Sequence, residues 1–454
     1  MTDLPRLDAT AAAAAVASGT VSAVELVNWT LERIKAVDPV LNCYVSVLGS
    51  RAVAQAEAVE QATSAKTGPF LGVPIAVKDN IHLSGVPTSA GLRPPVDPEP
   101  TRSAAVLHRL EAAGAIVIGK TNLHQFAYGA TGDVSGFGPV RNPHDRGRMS
   151  GGSSSGSGAA VAAGLCFAAL GTDTGGSVRV PAAFCGVVGL KPTQGGISTD
   201  GVVPLSRTLD CVGLMARTVG DCATLLDVLT QRTTHRETTA TTRLNGLRIG
   251  MPTTFYFDDV QPPVRAAVLR ALATCQELGA ELVPVELPDM SLMTAIQRRV
   301  LATEADVSLG EFVDHRSESI HPEVLDRILN APRAVGDDYE LARKARRHFA
   351  EAVFRQVDVI ATPTVPVTAP LVQQRIVDLP AGVADVGSTL TRNTAAANLL
   401  GLPALTVPCG RSPTGLPVGL QLLGPWHAER RLLTVAAAFE RTRSREDHPH
   451  DIPA

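Results

Sequence analysis

The chain has 454 residues, 44% of them hydrophobic and 19% charged, with 41 basic against 44 acidic side chains for a formal net charge of −3. That apolar content excludes a disordered chain, and the near balance of charge offers no electrostatic case for nucleic acid or an anionic membrane as the main partner. The length exceeds a typical domain of ~100–200 residues, which leaves either several domains or one large α/β unit.

Along the chain, Asp3, Arg6 and Asp8 precede an alanine run. That start lacks the basic region and the longer apolar core of a secretion signal. Apolar residues then recur at helical spacing through Val21–Ile34, which predicts a helical N-terminal segment over about residues 1–65. Short β-branched runs bounded by Gly or Pro predict buried strands at 73–77, 115–118, 186–190, 247–250, 357–361 and 416–422. Between the first run and the second lies a helical pattern that begins after Ser103 and stops at Gly114. Residues 231–245 read as a polar surface loop, and about 261–355 as a helix-rich insertion over the sheet. Alternation of strands and helices predicts an α/β architecture with a mostly parallel or mixed sheet. No apolar run approaches the ~18 residues of a membrane span. Seven cysteines, an odd count with no CxxC pair, fit reduced thiols in a cytoplasmic protein.

Three motifs fail on their context. Residues 114–121, Gly-Ala-Ile-Val-Ile-Gly-Lys-Thr, match the ATP-binding pattern GxxxxGK[ST], yet their centre reads as a strand where a phosphate-wrapping loop is required. Residues 152–156 fit GxSxG, but the polar stretch 141–148 before them reads as a loop, where a nucleophile elbow needs a strand. Gly156-Ser-Gly158 begins like a dinucleotide fingerprint whose last small position is instead Val161. No spaced Cys/His set predicts a metal, and His448 and His450 sit in a polar tail.

Two features demand more. Thirteen of the forty glycines fall between Gly151 and Gly201. Only six lysines occur, and Lys78, Lys120 and Lys191 each end an apolar strand-like run. A strand-end lysine ordinarily snorkels to water. Buried, it loses affinity for its proton and becomes a base able to activate a serine.

The residues that join these features resemble the amidase signature family. The likeness rests on Gly151-Gly-Ser-Ser-Ser-Gly-Ser-Gly-Ala-Ala-Val and on Leu170-Gly-Thr-Asp-Thr-Gly-Gly-Ser-Val-Arg-Val-Pro-Ala. Supporting segments are Gly72-Val-Pro-Ile-Ala-Val-Lys-Asp-Asn, Cys185-Gly-Val-Val-Gly-Leu-Lys-Pro-Thr, Arg392-Asn-Thr and Leu416-Pro-Val-Gly-Leu-Gln-Leu-Leu-Gly. The resemblance implies a single three-layer α/β/α domain with a large mixed central sheet, spanning residues 1–454. It implies Ser177 as nucleophile, Ser153 as a bridging serine in a cis peptide, and Lys78 as base. Thr174, Gly175, Gly176 and Ser177 would form the oxyanion hole, and Ala127, Tyr128 and Gly129 would border the acyl site. Asp173 and Arg179 would be a positioning ion pair, with Ser154 holding Lys78 or its own loop. Gln125 stands where a glutamate is common.

The expected activity is hydrolysis of carboxamides, with carbamates (urethanes) and esters as further substrates. The expected partners are a small amide-type molecule and water, with no cofactor, metal, nucleic acid or membrane, in a monomer or homodimer. The competing readings are the A subunit of a tRNA-dependent amidotransferase and, from another class, an ATP-binding protein resting on Gly114–Thr121.

Overall fold

The structure, a computed structural model, describes residues 4, 7–61, 67–233 and 235–443. Its strands are β1 (Tyr44–Val47), β2 (Pro74–Lys78), β3 (Ile116–Thr121), β4 (Arg141–Asn142), β5 (Asp145–Met149), β6 (Ala168–Asp173), β7 (Val188–Lys191), β8 (Cys211–Ala216), β9 (Arg248–Pro252), β10 (Glu281–Val285), β11 (Val359–Pro363), β12 (Ile376–Leu379), β13 (Gly382–Asp385), β14 (Ala404–Arg411) and β15 (Pro417–Leu423). Eleven form one sheet in the order β1-β3-β2-β6-β8-β7-β14-β15-β11-β9-β10. Parallel pairing joins β3, β2 and β6 at one side and β11, β9 and β10 at the other, while the centre is antiparallel. Helices cover both faces, giving the three-layer mixed α/β/α arrangement. All six strands predicted from β-branched runs belong to this sheet.

Every residue of the helix Ser155–Ala162 is buried. Its small side chains let it lie against the sheet and its loops. A Cβ on Gly156 would overlap the backbone of Cys43 and come within 2.7 Å of Asn122 N. The glycine cluster is thus a close-packing device for this helix and for the loops at its two ends.

Several expectations need their boundaries moved. The N-terminal segment holds helices Ala9–Ala17, Ala23–Leu41 and Gly49–Gln61, but strand β1 lies between the last two; residues 62–65 lie outside the described residues. Residues 141–148, read as a loop, form the β4–β5 hairpin, which pairs apart from the main sheet. Residues 261–355 divide. Helix Pro262–Glu277 packs on β14, β15 and β11, and β10 is the sheet's edge strand, so both belong to the α/β body. Only from Met290 onward do helices Met290–Arg316, Pro322–Asn330 and Asp338–His348 form a cover. The stretch 231–245 is mostly exposed, with a short 3-10 turn at Arg236–Ala240. All seven cysteines are free and buried. His448 and His450 lie outside the described residues. Among the described residues no helix is long and apolar enough to cross a membrane, and no cluster of three metal-binding side chains occurs.

Candidate active site

Lys78 ends β2, a strand flanked on both sides by β3 and β6, so its side chain emerges inside the molecule and is fully buried. Its Nζ lies 2.7 Å from Ser153 Oγ and 2.8 Å from Thr172 Oγ1. Asn80 Nδ2 donates to the same Thr172 oxygen at 3.1 Å. Burial pushes the Lys78 ammonium down to about 7, against the opposing pull of the Asp173 and Asp210 carboxylates. At neutral pH a large share of this side chain is therefore a free amine.

Ser153 follows a cis Gly152–Ser153 peptide and is fully buried. Its carbonyl accepts from His124 N at 3.1 Å. The next amide, Ser154 N, donates to Ser177 O at 3.0 Å, which ties the two serine segments together. Ser154 Oγ donates to Thr172 O at 3.1 Å and accepts from Thr172 N at 3.2 Å. Ser154 thus braces its own loop against β6 and does not hold Lys78; Thr172, one strand position before Asp173, does that. Ser177 is mostly buried, lines a cavity, and among the described residues its hydroxyl has no hydrogen-bond partner.

The segment before Ser177 is held from below. Asp173 and Arg179 form a fully buried ion pair, Nη2 to Oδ1 2.9 Å and Nε to Oδ2 3.0 Å. Arg179 also donates to Gln421 Oε1 at 2.7 Å, Thr394 O at 3.0 Å and Asn398 Oδ1 at 2.6 Å. Burial alone would raise the Asp173 carboxyl, but Arg179, Lys191 and Asn398 hold it well below the usual carboxylate range. Asp173 Oδ1 in turn accepts from Gly176 N at 2.9 Å. That contact corrects one expectation, because the Gly176 amide is already committed. Among the described residues, the amides of Thr174, Gly175 and Ser177 have no partner. Gly176 has φ 128°, and a Cβ there would overlap the Thr394 hydroxyl. The Gly175 carbonyl accepts from Thr394 Oγ1 at 2.6 Å, and the Thr174 carbonyl from Gln297 Nε2 at 2.9 Å. Both carbonyls are thus pinned to neighbouring side chains, which fixes the backbone of the segment that lines the space in front of Ser177.

That space is a cavity of about 480 Å³ lined by Ala127, Tyr128, Gly129, Thr174, Gly175 and Ser177, among others. The predicted acyl-side loop and the predicted nucleophile thus share one wall. Gln125 points elsewhere. Its Nε2 donates to Ser319 O at 3.0 Å and its Oε1 accepts from His321 N at 2.7 Å. Both ends of the amide are used to fasten the loop to the cover, at the N-terminus of helix Pro322–Asn330. A carboxylate could not make the first contact. Arg327 of that helix also donates to Tyr128 O.

The competing motifs resolve simply. Residues Ile116–Thr121 are strand β3, and Lys120 is buried in an ion pair with Asp79 at 2.7 Å. Sequence reasoning passed over Thr172, Gln297, Thr394, Asn398 and Gln421. Thr172 lay within the motif already quoted, as did Thr394 and Gln421 within the supporting segments; Gln297 carried no signal.

With this geometry in place, residues 25–433 match the Amidase family. The chain belongs to the amidase family. It is an enzyme of amide C–N bonds. The A subunit of the glutamyl-tRNA(Gln) amidotransferase of Synechococcus sp. (strain RCC307) is 39% identical, over 94% of this chain and 95% of its own. A crystal structure of an amidase is 33% identical with a TM-score of 0.89, covering 96% of this chain and 100% of that one. The A subunit of the glutamyl-tRNA(Gln) amidotransferase of Thermotoga maritima is 32% identical with a TM-score of 0.80, covering 97% and 96% of the two chains.

Proposed function

We propose that this amidase hydrolyses carboxamides on its own through an acyl-enzyme on Ser177. The observation that carries the reading is the buried Lys78 amine 2.7 Å from Ser153 Oγ, in a segment whose next amide binds the carbonyl of Ser177 at the cavity wall. Ser153 passes its proton to Lys78 and takes the proton of Ser177, whose oxygen attacks the carbonyl carbon. The amides of Thr174, Gly175 and Ser177 receive the negative oxygen, a contribution of about 3–4 kcal/mol for each such donor. Reversal of the relay protonates the departing nitrogen, the amine leaves, and water repeats the attack to release the acid. Esters and carbamates (urethanes) present the same carbonyl and enter the same steps. The chain works as a monomer or homodimer in the cytoplasm, with no cofactor and no nucleic-acid partner.

Ser177→Ala and Lys78→Ala are each expected to lower kcat by at least about 1,000-fold while the circular dichroism spectrum stays native. Normal turnover by either variant would sink the mechanism. A second reading, the glutaminase component of an amidotransferase, draws on the 39% identity to the Synechococcus protein. The higher TM-score with the amidase, 0.89 against 0.80, supports the stand-alone reading. Hydrolysis of an aryl amide by the purified chain alone favours the first; glutamine turnover only within a complex favours the second.

A further inference from the structure

The cavity in front of Ser177 is lined away from the serine by Leu205, Ala295, Leu301, Ala331 and Pro332, together with Tyr128. Among the described residues, four charged side chains also line it: Arg298, Arg299, Arg327 and Asp385. Each is already engaged. Arg299 is bound through two nitrogens to Asp338 at 2.7 and 2.6 Å. Arg327 donates to Tyr128 O and pairs with Glu323 at 3.1 Å. Arg298 donates to Ser388 O at 2.8 Å, and Asp385 accepts from Ser388 N at 2.7 Å. Arg298 and Asp385 are the two solvent-exposed members of this set. A substrate that fills the interior meets mostly carbon, the polar side chains of Gln297 and Thr391, and the guanidinium groups of Arg299 and Arg327 already paired with carboxylates. Of the charged groups among the described residues that line it, Arg299 and Arg327 are paired with carboxylates, which leaves only the exposed Arg298 and Asp385 to meet a charged substrate.

We infer that the enzyme takes amides whose acyl group is uncharged and apolar, aryl or medium-length aliphatic, and discriminates against zwitterionic amino-acid amides such as glutamine. The inference rests on the amidase reading above and sharpens it. An apolar acyl group gains by leaving water for this wall, whereas a buried charge without a partner forfeits its hydration.

The test uses primary amides, which offer only the acyl group to the cavity, with ammonia release as the readout from the purified full chain. The series is benzamide, hexanamide, 5-aminopentanamide, glutaramic acid and L-glutamine. Benzamide and hexanamide are expected to exceed glutamine in kcat/KM by at least about 100-fold, with both singly charged amides depressed by at least about tenfold. Glutamine within tenfold of benzamide, or charged amides equal to hexanamide, would overturn the substrate class while leaving the amidase reading intact. Ammonia release from none of the five would overturn both. In Leu301→Lys the ratio of glutaramic acid to hexanamide should rise at least about tenfold, because the new cation can pair with the acyl carboxylate. A ratio is insensitive to partial loss of folded enzyme, and no change in it would show that the acyl group lies elsewhere and overturn the inference.

Discussion

Lys78 can act as a base only where its lone pair is free and aimed at Ser153. Thr172 decides the aim, because its oxygen accepts from the amine at 2.8 Å and is itself fixed by Asn80. Removing that acceptor disfavours the ammonium more than the amine, since the ammonium has more need of partners. Thr172→Val is therefore expected to move the acid limb of the kcat/KM–pH profile to lower pH and to lower the plateau about tenfold, with Thr172→Ser restoring both. In the native enzyme the base is active when deprotonated, so kcat/KM should fall about tenfold per pH unit below pH 7, where protonated Lys78 dominates. It should level off by about pH 8. A rate independent of pH between about 5 and 8 would exclude Lys78 as the base.

At the scale of elements, Gln125 and Arg327 together clasp the cover to the acyl-side loop. Gln125 donates to Ser319 O and accepts from His321 N. Gln125→Glu keeps the second contact and sets a carboxylate against a half-buried carbonyl in place of the first. A stability loss of about 1–3 kcal/mol in urea titration is expected, with KM rising more than kcat falls as helix Pro322–Asn330 loosens over the cavity. Unchanged stability would show that the clasp carries no weight.

Elements also differ in how far their residues announce them. Strands with β-branched runs, such as Val359–Pro363, were legible. Ala-Ala-Leu-Gly-Thr-Asp in β6 and Cys-Val-Gly-Leu-Met-Ala in β8 were not: all of these strands are buried on both faces and lack alternation, and these two also have few β-branched residues and an internal glycine. Lys78, Ser153 and Ser177 were legible through a long motif. Gln297 was not, since a lone glutamine on a charged helix has no pattern; only the folded chain places its amide on Thr174 O.

For the whole molecule, the ion pair of Asp173 and Arg179 is the point where distant segments meet. Removing one partner leaves the other charge buried, and Arg179→Met is expected to cost about 3–5 kcal/mol by thermal or urea unfolding. The double variant Asp173→Asn/Arg179→Met should recover part of that loss, as the charge is removed from both sides. A single variant as stable as the parent would mean that the pair is incidental.

Arg179 reaches across 242 residues of sequence to Gln421, in the last strand of the sheet. During synthesis the nucleophile is therefore made long before the strand that completes its support. A ribosome-bound chain that already contains Ser177, Ser153 and Lys78 still lacks the groups that fix the oxyanion segment, namely Thr394, Asn398 and Gln421. Closure of so wide a loop is among the slow, non-local steps of folding. The support of this segment is therefore a late, long-range feature of the fold, complete only when the last strand of the sheet is in place.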